Sequence, residues 1–286
     1  METTLSYKDK RVVIGLERPF VIIGERINPT RRKKLVESLL QGDFSLVQEE
    51  ALKQLKAGAQ VLDVNAGVPG ADEPALLRGA ALAIMEVTAA PLCFDTANPA
   101  ALEAALEVYP GKALINSTTA EPEMMARVLP LAKRFGAAVI GVISDENGIP
   151  PTPQDRLAVA RKLVDTAAGY GIPPEDILID CLALTVGADS KAGQVTLDAM
   201  ALVRDELGVN LSLGASNVSF GLPDRKIINV AYLALANARG LTAAITDPTV
   251  PEIQTTLLAC DLLLGRDEYA QRWIRAFRQR EKAAAA

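Results

Sequence analysis

VLDVNAG, residues 61 to 67, is a short apolar run that stops on a carboxylate, Asp63, and an amide, Asn65. The same arrangement returns in LCFDTAN (92–98, stopping at Asp95), ALINST (113–118, Asn116), ILIDCL (177–182, Asp180) and LSLGASNVS (211–219, Asn217). β-like runs that end on polar groups, each followed by a helical pattern, predict a parallel (β/α)8 barrel with a polar site at the carboxyl ends of its strands.

Working outward, apolar runs predict strands at 20–24, 59–64, 92–95, 113–116, 138–143, 177–180, 211–215 and 243–246. Helical patterns follow at 45–57, 74–88, 99–109, 121–135, 153–170, 193–207, 224–238 and 251–263. Pro99 after Asn98 marks a start, while Gly58, Gly136, Gly171, Gly208 and Gly240 sit just past last turns. The first connection is long, and Ser45 to Ala57 is its one clear helix; the RRKK tetrad at 31–34 reads as the opening of a solvated helix. The expected fold class is α/β, a single TIM barrel over residues 1–286 with an amino-terminal extension of about 1–18 and an added amphipathic helix at about 268–281. Within the extension, Val12 to Gly15 reads as a strand outside the barrel wall, suited to a hairpin that closes the amino-terminal mouth. Ala283 to Ala286 reads as a fraying end.

Composition narrows the chemistry. The 286 residues are 49% hydrophobic and 23% charged, which suits a well-filled interior, and the net charge of −5 without a long basic block argues against a nucleic-acid partner. No apolar stretch approaches the roughly 20 residues of a membrane span, and the first 18 residues lack a signal peptide's apolar core, so a cytoplasmic protein without a membrane partner is expected. Three widely spaced cysteines, Cys93, Cys181 and Cys260, fit free buried thiols. The chain contains no histidine, which excludes Ser-His and Cys-His nucleophiles, His-containing zinc sites and His bases; no metal site is expected.

GERINPT (24–30) adds Glu25, Arg26 and Asn28 to the polar mouth. Carboxylates accept from donor edges and amides pair with either kind, so such a mouth suits a flat heterocycle such as a pterin. On GERIN (24–28), DVNAG (63–67), FDTAN (94–98), INST (115–118), ID (179–180) and SNVSFG (216–221), in that order over nearly the whole chain, the sequence resembles the methyltetrahydrofolate:corrinoid protein methyltransferases. The resemblance implies a methyl transfer between a corrinoid and N5 of tetrahydrofolate, with tetrahydrofolate or methyltetrahydrofolate as substrate. It implies that Asp95, Asn116 and Asp180 hold the pterin and that Asn217 is catalytic, contacting N5. It places Arg225 near the folate tail and gives Glu25, Asn28, Gly214 and Ser216 to the same substrate mouth. Asp63 and Asn65 are expected to shape the neighbouring loop, Ser216 and Ser219 to orient Asn217, and Asp247 to act as a cap.

No segment resembles a cobalamin domain, so the corrinoid is expected on a separate partner protein, and the family implies a homodimer. The amino-terminal segment and NPTRRKK depart from the shorter acetogenic members and tilt the expectation toward demethylation systems, from methylcorrinoid to tetrahydrofolate. The alternatives are transfer from methyltetrahydrofolate to a corrinoid iron–sulfur protein and a dihydropteroate synthase-like enzyme. Against the latter, the last strand ends in ITDP with no neighbouring Arg in the sequence to meet a pyrophosphate leaving group. An aldolase-type barrel would want a strand-end Lys, absent here, and a catalytically silent pterin-binding module is the remaining rival.

Overall fold

The computed structural model describes residues 1–284. Strands β1 (Glu2–Tyr7) and β2 (Lys10–Gly15) form an antiparallel hairpin ahead of the barrel. The barrel strands are β3 (Val21–Ile27), β4 (Val61–Val64), β5 (Leu92–Asp95), β6 (Leu114–Thr119), β7 (Ala138–Val142), β8 (Ile177–Asp180), β9 (Asn210–Ser212) and β10 (Ala243–Thr246), all parallel. They follow one another around the sheet in the order β10-β3-β4-β5-β6-β7-β8-β9. The last seam closes where Ile245 N donates to Leu213 O at 2.9 Å and Thr242 N to Leu211 O at 3.2 Å. This is the expected (β/α)8 barrel.

Helices α1 (Lys33–Leu40) and α2 (Ser45–Lys56) fill the first connection. The others are α3 (Glu73–Val87), α4 (Pro99–Val108), α5 (Pro122–Phe135), α6 (Pro153–Gly169), α7 (Ala192–Leu207), α8 (Arg225–Ala238), α9 (Pro251–Leu263) and α10 (Gln271–Ala284). The clear helix expected in the first connection is thus one of two. Only eight residues long, α1 has no side-chain cap, and basic residues sit where the helix dipole favours acids. Burial of Leu35 and Leu39, one turn apart, holds it to the barrel. Elsewhere the caps work as the sequence predicts: Asn98 Oδ1 accepts from Ala100 N at 3.1 Å, and Gly136 and Gly208 end their helices at φ 64° and 65°.

The period of two sorts each strand's residues. Ile22, Leu62, Phe94, Ile115, Val139, Ile179 and Leu211 pack outward under the helices. Val21, Ile23, Val61, Cys93, Leu114, Ala138, Ile140 and Leu178 form a second cluster inside the barrel, and Leu5, Val12 and Ile14 of the hairpin join it. The hairpin therefore plugs the amino-terminal mouth. Asn210 completes the plug, donating from Nδ2 to Thr3 Oγ1 (2.9 Å) and Ile14 O (3.0 Å).

At the far end, Asp261 of α9 accepts from Phe20 N at 3.0 Å and from Arg272 Nη1 at 2.6 Å, tying α10 to the start of β3. The expected helix at about 268–281 begins instead as a short 3₁₀ turn, Glu268–Ala270, because Tyr269 takes a left-handed conformation, φ 52°. The last two residues of the expected fraying end, Ala285 and Ala286, lie outside the described residues. Cys93 and Cys181 are buried free thiols, but Cys260 is only half-buried, on the outer face of α9. No helix among the described residues is long and apolar enough to cross a membrane.

If the hairpin is structural, Leu5→Ala, at 0% exposure, should lower unfolding free energy by roughly 2–5 kcal/mol, as buried Leu truncations do. Leu40→Ala, at 58% exposure, should leave it nearly unchanged. Urea denaturation of the two variants checks the difference.

Candidate active site

Two residues beyond the apolar interior positions, the same inward phase of the strands turns polar. It holds Glu25 on β3, Asp63 on β4, Asp95 on β5, Asn116 on β6, Asp180 on β8 and Ser212 on β9. Asp95 lies beside Asn116 in the register, and Asp180 beside Ser212. Strand ends from most of the barrel circumference thus share one mouth. Residues 24–27 of the GERIN motif are part of β3, because Ile27 still pairs with Val64 beyond a register shift, and Asn28 follows the strand. Gly24 is required there: a Cβ would sit 2.5 Å from Gln54 Oε1, the atom that accepts from Arg26 N at 2.8 Å.

Each of these polar groups has a partner that aims it. Asn65 Nδ2 donates to Asp95 Oδ2 at 3.0 Å, and Asn116 Nδ2 donates to Asp63 Oδ1 at 3.2 Å. Asn65 does shape its loop, through Gly67 N at 2.9 Å, but Asp63 and Asn65 also orient Asn116 and Asp95, a role the sequence reading missed. Asp180 Oδ1 accepts from Leu182 N at 2.7 Å and Oδ2 from Gly214 N at 3.2 Å, so Gly214 enters through its backbone. Below it Arg156, 2% exposed, donates to the carbonyls of Pro150 (3.0 Å), Cys181 (2.8 Å) and Leu182 (3.2 Å) and to Thr196 Oγ1 (3.0 Å). That clamp fixes the turn after β8, where Leu182 is left-handed at φ 58°. Nothing in the local sequence around Arg156 signals it, since its partners lie up to 40 residues away.

Burial governs the charges. Asp63 is pushed well up, by desolvation first and by neighbouring Asp95 second. Asp95 and Glu25 are raised mainly by burial as well, against the bonds from Asn65 and Ser216. Asp180 is pushed up to about 6 by burial, although the Leu182 and Gly214 N–H groups pull the other way. Ser212 Oγ is buried without a hydrogen-bond partner, an unsatisfied group on the inward phase next to Asp180. Its signal in the sequence is its place two residues before Gly214 in LSLG.

The remaining expected residues lie at the lip. Ser216 Oγ donates to Glu25 Oε1 at 3.1 Å, and Arg225 Nη2 donates to Ser216 O at 2.6 Å. Ser219 Oγ donates to Asn229 Oδ1 at 2.6 Å and accepts from Arg225 Nε at 3.0 Å. The hydroxyls of both serines of the 3₁₀ turn Ala215–Ser219, expected to orient Asn217, bond instead to Glu25 and Asn229. Asn217 is exposed, its Nδ2 lying against the bare Cα face of Gly214, where a Cβ would come within 3.2 Å. Asn28 Oδ1 accepts from Thr30 N at 2.9 Å in a local turn, so its acceptor is engaged away from the strand-end group. Asp247 accepts from Thr249 N at 2.9 Å as a loop cap, and Arg26 Nη1 reaches its other oxygen at 3.3 Å. ITDP therefore does have an arginine neighbour, brought from β3 by the β10–β3 pairing.

The architecture is that of a (β/α)8 barrel whose polar strand ends define the site. A family model for pterin binding enzymes matches residues 24–247, the span from GERIN to ITDP, and the chain belongs to that family. The methylcorrinoid:tetrahydrofolate methyltransferase of Eubacterium limosum is 28% identical over 265 residues, covering 91% of this chain and 96% of that protein. The methionine synthase of Mycobacterium leprae is 31% identical over 271 residues, 87% of this chain but 22% of that much longer protein. Among solved structures, Xanthomonas albilineans dihydropteroate synthase in complex with indole-2-carboxylic acid and 6-chloroguanine superposes with a TM-score of 0.69 at 19% identity, over 92% of this chain and 98% of that one. At that identity the likeness speaks for the barrel fold.

Because Asp180 titrates near 6 in the folded protein, above its unfolded value, its contribution to stability is fully present below about pH 4 and lost as pH rises through 6. Asp180→Asn should therefore gain on wild type by roughly 2–3 kcal/mol between pH 4 and pH 7.5, the size of a two-unit shift. Urea unfolding curves at both pH values read this difference directly.

Proposed function

We propose that this chain is a methyltransferase acting between N5 of tetrahydrofolate and a corrinoid carried by a separate protein, running from methylcorrinoid to tetrahydrofolate. One observation carries the reading: a ring of half-buried acceptors at the strand ends leads to a neutral, exposed amide, Asn217, at the lip. Half-buried carboxylates at Asp95 and Asp180 suit the donor edge of a pterin, whose N–H groups would offset the desolvation that raises them. Asn116 faces the ring beside Asp95, Ser212 offers its unpaired hydroxyl, and Glu25 closes the mouth through Ser216. Similarity to the Eubacterium limosum enzyme along almost both chains supports the same direction.

The corrinoid, when bound, supplies a methyl group open to displacement by a nucleophile. Asn217 Oδ1 would accept the N5–H hydrogen bond, which turns the N5 lone pair toward the lip. As N5 gains positive charge, that bond strengthens, so the amide acts on the transition state more than on the bound substrate. An amide takes no proton, and Asn217's exposure leaves the N5 proton a path to water. The strand-end carboxylates meanwhile hold parts of the ring that do not react, and the half-buried acceptors fix its angle to the incoming methyl group.

A homodimer is proposed on the exposed apolar side chains of α8 and the end of α9, where Ile227 is 62%, Leu235 56% and Leu263 84% exposed.

The opposite direction of transfer uses the same groups. A dihydropteroate synthase-like reaction is the second reading, favoured by the barrel's likeness to those enzymes and by Arg26 beside Asp247. Arg26 also lies 3.6 Å from Glu50, so its charge is shared between two carboxylates before any pyrophosphate arrives. Incubation with a methylated corrinoid protein and tetrahydrofolate, and separately with a pterin pyrophosphate and 4-aminobenzoate, decides between them: the first should yield methyltetrahydrofolate, the second no pyrophosphate.

Within the first reaction the roles separate by variant. Asn217→Ala should slow single-turnover methyl transfer about 100- to 1,000-fold with little change in tetrahydrofolate affinity. Asp180→Ala should weaken that affinity by roughly 1–3 kcal/mol, read by calorimetry. Loss of binding with a preserved saturated rate in Asn217→Ala would reassign that residue to holding the ring.

A further inference from the structure

A chain of contacts leads outward from the barrel mouth. Ser216 binds Glu25, Arg225 binds Ser216, and the Arg225 guanidinium lies 5.7 Å from the centre of the Phe220 ring. On its other approach, Phe220 meets the Arg31 guanidinium at 5.8 Å. Phe220 is 53% exposed, so an apolar ring at the lip lies within about 6 Å of two cations and stays open to solvent. Arg31 in turn lines a groove of about 520 Å³ together with Lys33 and Lys34, floored by Leu35 and Leu46.

The charge of this groove is not cancelled by its own walls. Glu50 is taken by Arg32 at 2.5 Å and by Arg26 at 3.6 Å. Among the described residues, Arg31, Lys33 and Lys34 form no ion pair, which sets three free cations against the one remaining carboxylate of the groove, Glu49. Basic side chains crowded at the start of α1 work against its helix dipole, a local cost with no compensation inside the chain. An oligoanion lying in the groove would supply it.

Resting on the methyl-transfer reading above, we propose that this groove binds the γ-linked oligoglutamate tail of the folate substrate, with Phe220 and Arg225 passing the tail from the barrel mouth to Arg31, Lys33 and Lys34. The geometry fits an elongated ligand of alternating amides and carboxylates: the contacts run from Glu25 through Ser216, Arg225 and Phe220 to Arg31, and the groove continues from there past the lysines. The tail then adds affinity without touching N5. Substrates with several glutamates are selected over the monoglutamate, and the selection is electrostatic.

The test is the ratio of dissociation constants for tetrahydropteroyl monoglutamate and pentaglutamate, measured by calorimetry. Exposed charge pairs are individually weak, so wild type should favour the pentaglutamate on the order of tenfold at 50 mM salt, shrinking at 500 mM. Lys33→Gln with Lys34→Gln should bring the ratio to within about threefold of unity, the double change to Glu should bring it lower still, and the double change to Arg should keep it. A wild-type ratio of one, with methyl transfer intact, overturns the tail site and leaves the function standing. Failure of both folates to bind overturns the function and the tail site together. A ratio unchanged in the Gln variant, with a raised KM for the corrinoid protein, overturns the tail site and makes the rim a protein-docking surface.

Discussion

Closure of the parallel sheet on itself is the constraint from which the rest of the molecule follows. Once Ile245 N bonds to Leu213 O and the β9–β10 seam shuts, every second residue of every strand points at one axis, wherever it lies in the sequence. The amino-terminal half of that axis is filled with Val, Ile, Leu, Ala and Cys side chains and stoppered by the hairpin. Only the carboxyl half is left to carry polar groups. The two halves depend on each other, because a dry, plugged interior beneath the mouth is what raises the carboxylates above it.

That environment comes at a free-energy cost which the fold meets with dipoles rather than with opposite charges. Asp180 is held by two backbone N–H groups, and Asp95 and Asp63 each by an asparagine amide. Partial compensation leaves all three raised, with Asp63 and Asp95 repelling each other as well. Full pairing with Lys or Arg would have satisfied the acceptors internally and left nothing for a ligand's donors. Arg156 is kept one layer below, where it grips carbonyls and not the carboxylate.

The lip around this ring is electrically uneven. Near the seam between β10 and β3, Arg26, Arg32, Glu50 and Asp247 neutralise one another, while Arg31, Lys33 and Lys34 form no ion pair among the described residues. On the other side of β3, Glu73 accepts from Thr96 and Asn98, and the loop after β4 is acidic and polar. A substrate with a neutral head and an anionic tail is therefore oriented by the field before it makes any specific contact.

What the amino-acid sequence determined by itself was everything that depends on local pattern: the period-two runs, the polar stops at Asp95, Asn116 and Asp180, the capping residues and the glycines past the helices. Eight strands and the helices between them were legible because each unit carries its own periodicity and punctuation. The hairpin plug was legible too, since Val12 to Gly15 is apolar beyond what a solvated extension needs. Pairings between distant residues were decided only by the tertiary structure. Asn65 meets Asp95 across 30 positions, Ser216 meets Glu25 across 191, and Arg26 meets Asp247 across 221, so that an aspartate with no arginine near it in sequence has one in space. Ser216 and Ser219 looked like supports for Asn217 because they adjoin it, and the 3₁₀ turn sent their hydroxyls elsewhere. The physical reason is the same throughout: periodicity says which way a side chain points along its own strand, whereas the partner it finds is set by the register and closure of the other seven.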